Sequence, residues 1–182
     1  MTAFAELQNQ YRKIVATGGF ALPELLARLL HVNITDQTLS FYNNGKLAAI
    51  YPVSTAANGV GCLDGSGCTP DGWHIVKSLI GAGAPVATVF KGRVVSGVAA
   101  TLCDSSNNDL ITSRILWLAG LEAGINSGGE VDSYNRYIYV HGTAQEHLIG
   151  SPVSHGCIRM RNRDVIELFD LVSEQTPVFI SV

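Results

Sequence analysis

A chain of 182 residues with 47% hydrophobic and 15% charged residues is long enough for one domain with a substantial core. Its net charge of −3 offers no basic face for nucleic acid; the nearest cationic group, Arg159, Arg161 and Arg163, merely alternates along one short segment. No stretch approaches the roughly 18 apolar residues of a membrane span.

Residues 1–20 do not read as an export signal, because Glu6, Gln8, Asn9, Gln10, Arg12 and Lys13 interrupt them. The expectation is a cytoplasmic protein, with the periplasm as the alternative if an export signal was removed. The same segment places Phe4, Leu7, Tyr11, Ile14 and Val15 at helical spacing. Gly18-Gly19 follows, and then Pro23 with Leu22, Leu25, Leu26, Leu29 and Leu30 predicts a second helix over 22–30. These two form a helical extension, residues 1–32, covering one edge of the main domain.

From residue 33 the pattern turns strand-like. Ile34 to Tyr42 and Lys46 to Val53 flank Asn43-Asn44-Gly45, a hairpin signal. Residues 54–72 form a long loop rich in Gly, Ser, Asn and Asp. Trp73 to Leu79 reads as a strand, Gly81 to Gly97 as glycine-punctuated short pieces, and Ile111 to Leu121 as a strand by its β-branched and aromatic content. Tyr137 to Val140 is a short strand running into His141-Gly142. Asp164 to Val172 is an amphipathic helix, and Pro177 to Val182 a last strand. The fold class is mainly β, a sandwich or barrel, with one late amphipathic helix.

Of the four cysteines, Cys62 and Cys68 lie in the long loop, where they could bridge; their spacing is poor for a zinc knuckle. Setting Cys157 aside leaves three with Cys103, an odd number that suits a reducing compartment. Cys157 follows Ser154-His155-Gly156 and precedes Arg159, and His141 stands sixteen residues before it. A nucleophilic thiol needs a base to take its proton, a group to orient that base, and backbone N–H donors for the oxyanion. This segment contains all of these, although spacing alone leaves open whether His141 or His155 is the base. The competing readings are a buried structural cysteine and a zinc set of His141, His155 and Cys157. His31, His74 and His147 have no supporting context, and Trp73, Trp117 and Tyr139 read as core rather than as substrate platforms.

His141-Gly142-Thr143, followed by Ser154-His155-Gly156-Cys157-Ile158-Arg159-Met160-Arg161-Asn162, resembles the signature of the L,D-transpeptidase (YkuD-like) catalytic-domain family. Tyr51-Pro52-Val53-Ser54-Thr55, Gly65-Ser66-Gly67, Thr69-Pro70-Asp71-Gly72 and Gly81-Ala82-Gly83-Ala84-Pro85 extend the likeness upstream. It covers about 34–182, so residues 33–182 would form an L,D-transpeptidase-like catalytic domain. The resemblance implies Cys157 as nucleophile, His141 as general base and acid, and Gly142 as the carbonyl that orients it. It places the N–H groups of Gly156 and Cys157 in the oxyanion hole. Ser154 and His155 would support the site, Arg159 would meet a substrate carboxylate or buttress the loop, and Asn162 would cap the following helix. No metal or cofactor is implied.

The substrates implied are peptidoglycan stem peptides or muropeptides, and carbapenems would be covalent inhibitors. Tetrapeptide stems would be cut before the terminal D-alanine. In the cytoplasm the useful product is a tripeptide, which makes the expectation an L,D-carboxypeptidase of muropeptide recycling. The alternative is a periplasmic L,D-transpeptidase that forms 3→3 crosslinks or exchanges D-amino acids. A non-catalytic peptidoglycan-binding module would have no use for the His141 and Cys157 pair.

Overall fold

The computed structural model describes residues 3–18, 27–98 and 109–182. Within them, helix α1 (Ala3–Gly18) is followed by strands β1 (Arg28–Asn33), β2 (Thr38–Asn43), β3 (Lys46–Pro52), β4 (Gly72–Ile80), β5 (Thr88–Lys91) and β6 (Val94–Val98). Strands β7 (Ile111–Gly120), β8 (Tyr139–Thr143) and β9 (Ile158–Met160), helix α2 (Asn162–Leu171) and strand β10 (Pro177–Ser181) complete the order. The ten described strands make one sheet, β3-β2-β1-β10-β4-β7-β5-β6, from which β8 and β9 continue along the other edge of β7. The sheet curls into a half-barrel.

The mainly β reading therefore holds, and the predicted hairpin is present. Asn44 and Gly45 both take positive φ (50° and 78°) between the paired Asn43 and Lys46, the geometry of a type I′ turn. Two boundaries are corrected. The predicted strand from Ile34 begins at Thr38, because residues 34–37 turn the chain from β1 into β2. The predicted helix over 22–30 is a strand at Leu29 and Leu30, while Leu22, Pro23, Leu25 and Leu26 lie outside the described residues. Leu30 faces Phe41 on β2 and Val178 on β10, so two remote strands hold it extended. A leucine run without polar punctuation suits a buried strand as well as a helix face.

Alternation along the strands builds two cores on opposite faces of the sheet. Leu29, Trp73 and Ile75 join Leu121 beneath Phe4, Leu7, Tyr11 and Val15 of α1. Each such side chain contributes about 1.5–3 kcal/mol when removed from water, which seats α1 on this face. Leu30, Val76, Leu116, Leu118, Val140, Ile158 and Met160 point the other way, against Val165, Leu168 and Phe169 of α2. This second core fixes the floor on which β8, β9 and the start of α2 meet.

Candidate active site

Strands β8 and β9 run parallel, with Val140 opposite Ile158 and His141 opposite Arg159. Cys157 immediately precedes β9, which sets it beside Tyr139, two residues from His141 along β8. Positions two apart in a strand share a face, so this pairing brings the thiol and the imidazole to neighbouring places although a long loop separates them in sequence. His141 lies inside β8 rather than at its end.

The loop before Cys157 is held from three sides. The segment after β3 pairs with it: Ser154 N–H donates to Thr55 O (2.9 Å), Ala57 N–H donates to Ser154 O (3.0 Å), and Ser54 and Arg159 exchange backbone bonds of 2.9 and 2.8 Å. Thr69 Oγ1 donates to Gly156 O (2.9 Å). Ser154 Oγ donates to Cys157 O (2.6 Å) and accepts from Gly156 N–H (3.3 Å). The Gly156 N–H, expected in the oxyanion hole, faces Ser154 Oγ. A side chain at Gly156 would meet Cys68 O at 3.3 Å, and its φ of 129° suits glycine. Cys62 and Cys68 are both free thiols in this loop, and Cys103 lies outside the described residues.

His141 is 2% exposed, and its Nδ1 stands 2.8 Å from Gly142 O. A carbonyl only accepts, so Nδ1 carries the proton and Nε2 keeps its lone pair. Gly142 has no room for a side chain: a Cβ would sit 2.6 Å from Thr112 O and 2.7 Å from Asn162 Oδ1. Burial lowers the His141 pKa below its ordinary value, opposed by the Gly142 carbonyl and Asp109. Burial pushes the Cys157 thiol up to about 12, opposed by the Tyr139 N–H. Both groups are accordingly neutral at rest. Cys157 Sγ accepts from Tyr139 N–H (3.4 Å) and donates to Tyr137 O (3.4 Å), so its proton leaves a backbone carbonyl before it reaches a base.

The remaining motif residues divide. Arg159 is 1% exposed, and its Nη1 donates to Asp109 Oδ1 (2.8 Å) and Gln145 Oε1 (3.0 Å), while Nε and Nη2 have no partner among the described residues. The His155 side chain is 85% exposed, with Nδ1 3.2 Å from Asp109 Oδ2, on the carboxylate that also receives Arg159. Among the described residues no three His, Cys, Asp or Glu side chains converge as a metal set. Asn162 does not cap α2 as expected, because Arg161 holds the N-cap position and Asn162 is already the first helical residue. It is buried in the first turn, where its Oδ1 accepts from Thr112 Oγ1 (2.6 Å) and Ser113 Oγ (2.5 Å). Its Nδ2 donates to Thr143 O (2.8 Å) and Glu146 Oε1 (2.7 Å), and Glu146 takes the helix N–H of Asn162 (2.8 Å).

Sequence reasoning missed Asp109, Glu146, Thr112 and Ser113. Asp109 ends the polar run Asp104 to Asp109, which reads as a solvated loop. Burial acts to raise its carboxyl, but the Arg159 hydrogen bond and the neighbouring His141 and His155 outweigh that and hold it below the usual carboxylate value. Nothing local marks Asp109 as the partner of an arginine fifty residues away. Tyr139 and Trp73 are core as expected, and Trp117 packs half-buried against the same core as Tyr139 while stacking on Tyr134 and leaning against Tyr137.

Among curated proteins, the chain is 43% identical over 61 residues to the protein named L,D-transpeptidase YkuD of Bacillus licheniformis, which is 31% of this chain and 37% of that one. The Bacillus subtilis protein of the same name matches at 43% over 61 residues, again 31% and 37%. These matches span little more than a third of the relatives' length. Two solved structures share the fold. One is L,D-transpeptidase 3 from Mycobacterium tuberculosis in complex with a faropenem-derived adduct (TM-score 0.55, 16% identity, 86% of this chain, 60% of that one). The other is the L,D-transpeptidase LdtMt1 in complex with imipenem (TM-score 0.52, 19% identity, 85% of this chain, 59% of that one). The family model for the L,D-transpeptidase catalytic domain, YkuD, matches residues 27–180. With that match over nearly the whole chain, and with the motif residues gathered at the junction of β8, β9 and α2, the chain belongs to the L,D-transpeptidase catalytic-domain family.

Proposed function

We propose that Cys157 is the nucleophile of an acyl-transfer reaction on peptidoglycan stem tetrapeptides, cleaving the L–D bond before the terminal D-alanine. The observation that carries this is the parallel β8–β9 register, which sets Cys157, just before β9, on the same face as His141, whose Nε2 is left free because Gly142 O holds Nδ1–H. The sulfur attacks the carbonyl carbon as its proton passes to His141 Nε2. The C–N bond then breaks, the imidazolium returns that proton to the departing D-alanine amine, and a thioester remains on Cys157. Burial that disfavours an imidazolium makes the returned proton a ready one.

Water then attacks the thioester with His141 as base, giving a tripeptide and restoring the thiol. Hydrolysis is the first reading because it requires one peptide site only; transfer to an amine, giving crosslinked or exchanged stems, is the alternative. Carbapenems and penems are proposed covalent inhibitors at the same sulfur, supported by the imipenem and faropenem complexes of proteins with this fold.

The test is to incubate the protein with a tetrapeptide stem, with and without a D-amino acid, and follow masses. Loss of one alanine in both samples is the expected result, abolished in Cys157→Ala. Terminal exchange with little tripeptide would replace hydrolysis by transpeptidation. Unchanged turnover in Cys157→Ala would refute the nucleophile.

A further inference from the structure

The hairpin that joins β5 to β6 turns through Gly92 and Arg93, both at positive φ (57° and 68°) between the paired Lys91 and Val94. This is a type I′ turn, whose second central position ordinarily takes glycine or asparagine. An arginine there carries backbone strain that a glycine would avoid. Its half-buried side chain folds back over aromatic rings. The guanidinium carbon lies 4.7 Å from the centroid of Trp117 and 4.8 Å from that of Tyr137, and Nη1 donates to Tyr139 Oη at 3.2 Å. Trp117 is itself stacked on Tyr134 at 4.0 Å.

The cage touches the nucleophile through two of its members. Tyr137 O accepts from Cys157 Sγ, and Tyr139 N–H donates to it. Tyr137 is also a non-glycine residue at positive φ (58°), so strained residues supply both the carbonyl at the thiol and a ring against Arg93. Strain of this kind persists where the surrounding structure over-determines it, and it clusters at ligand clamps. Among the described residues no carboxylate lies within ion-pair distance of Arg93. Aromatic rings cover the face of a guanidinium but leave its N–H edge available, and that edge matches a carboxylate with two parallel hydrogen bonds.

We propose that Arg93, held by Trp117, Tyr137 and Tyr139, is the specificity residue that receives a free carboxylate of the donor stem peptide beside Cys157. The inference rests on the acyl-transfer reading and adds to it a substrate class: stems whose carboxylates are unmodified, in preference to stems that carry carboxamides in their place. An apolar residue would fill the space over Trp117 as well as an arginine does. What it would lack is the charge, and the charge is what the described protein groups leave unanswered.

The experiment measures binding in Cys157→Ala, where no turnover intervenes, by calorimetry with a free-acid tetrapeptide and with the same peptide bearing carboxamides. The free acid is expected to bind about tenfold more tightly or better, the worth of one hydrogen-bonded charge pair. Adding Arg93→Gln should erase that preference and leave the affinity for the amide unchanged, while Arg93→Lys should restore part of it. Equal weakening of both peptides by Arg93→Gln would mean that the arginine merely braces the hairpin, and would overturn the proposal. So would an undiminished preference. If Cys157→Ala binds neither peptide and the unaltered protein turns neither over, the acyl-transfer reading has failed and this one falls with it.

Discussion

Replacing Asn162 by alanine should destabilise the molecule from beneath its active site. The amide is a junction: it accepts from Thr112 and Ser113 on β7 and donates to Thr143 at the end of β8 and to Glu146 in the turn beyond. All four bonds are 2.5–2.8 Å, and the residue is 1% exposed. A neutral hydrogen bond contributes about 0.5–1.5 kcal/mol net, and one to a charged group about 1.5–3. Alanine also leaves Thr143 O without this donor in a buried place. The Glu146 carboxylate keeps the backbone N–H of residue 162, so its loss is partial. The sum is about 3–5 kcal/mol, a large part of the roughly 5–15 kcal/mol that holds a domain together. Urea unfolding followed through Trp73 and Trp117 fluorescence measures it. Asn162→Asp sharpens the test. It preserves the acceptor toward both hydroxyls but sets a carboxylate against Thr143 O and Glu146, so it should cost no less than alanine at pH 7. Acidification, which restores a donor, should recover part of that cost. A loss under about 1 kcal/mol in Asn162→Ala, or an Asn162→Asp protein as stable as the original, would refute the reasoning.

The pH dependence of kcat/KM should follow His141, whose pKa burial lowers. The base must be neutral, so activity is lost as pH falls through a value below the ordinary 6.5 or so. A limb centred at or above that value would contradict the assignment. His74 gives a separate stability signal. It is buried between Gly72 O and Ser133 Oγ, and burial lowers its pKa to about 4. Below about pH 6.5 the unfolded chain binds a proton that the folded one refuses, so stability falls between there and pH 4 by about 3 kcal/mol. His74→Gln should flatten that decline in urea titrations, and an unchanged slope would count against it. Gly142→Ala should cost about 1–3 kcal/mol by overpacking against Thr112 and Asn162. It should also lower kcat in the folded fraction, since the carbonyl that orients His141 must move; a fully active variant would show that this carbonyl is dispensable.

Much of this protein is legible one segment at a time. The helical spacing of Phe4, Leu7, Tyr11 and Val15 and the Asn44-Gly45 turn each express a preference held within a few residues, and each appears as read. Leu29 and Leu30 failed that method. Their run fits helix and strand alike, and the choice lies with β2 and with β10, which arrives almost 150 residues later. The motif likewise names a histidine and a cysteine but assigns them no surroundings. The neutral state of both comes from burial, and the tautomer of His141 comes from a carbonyl wedged between Thr112 and Asn162. Asp109 beside Arg159, and Arg93 among three aromatic rings, leave no local trace, because a charge in a loop reads the same whether it faces water or a distant partner. Local patterns of hydrogen-bonding and apolar groups are set by neighbours along the chain, so the sequence alone determined the parts and the chemistry they carry. Solvent exclusion and long-range pairing are set by neighbours in space, so the tertiary structure decided which parts are charged, which are oriented, and which meet.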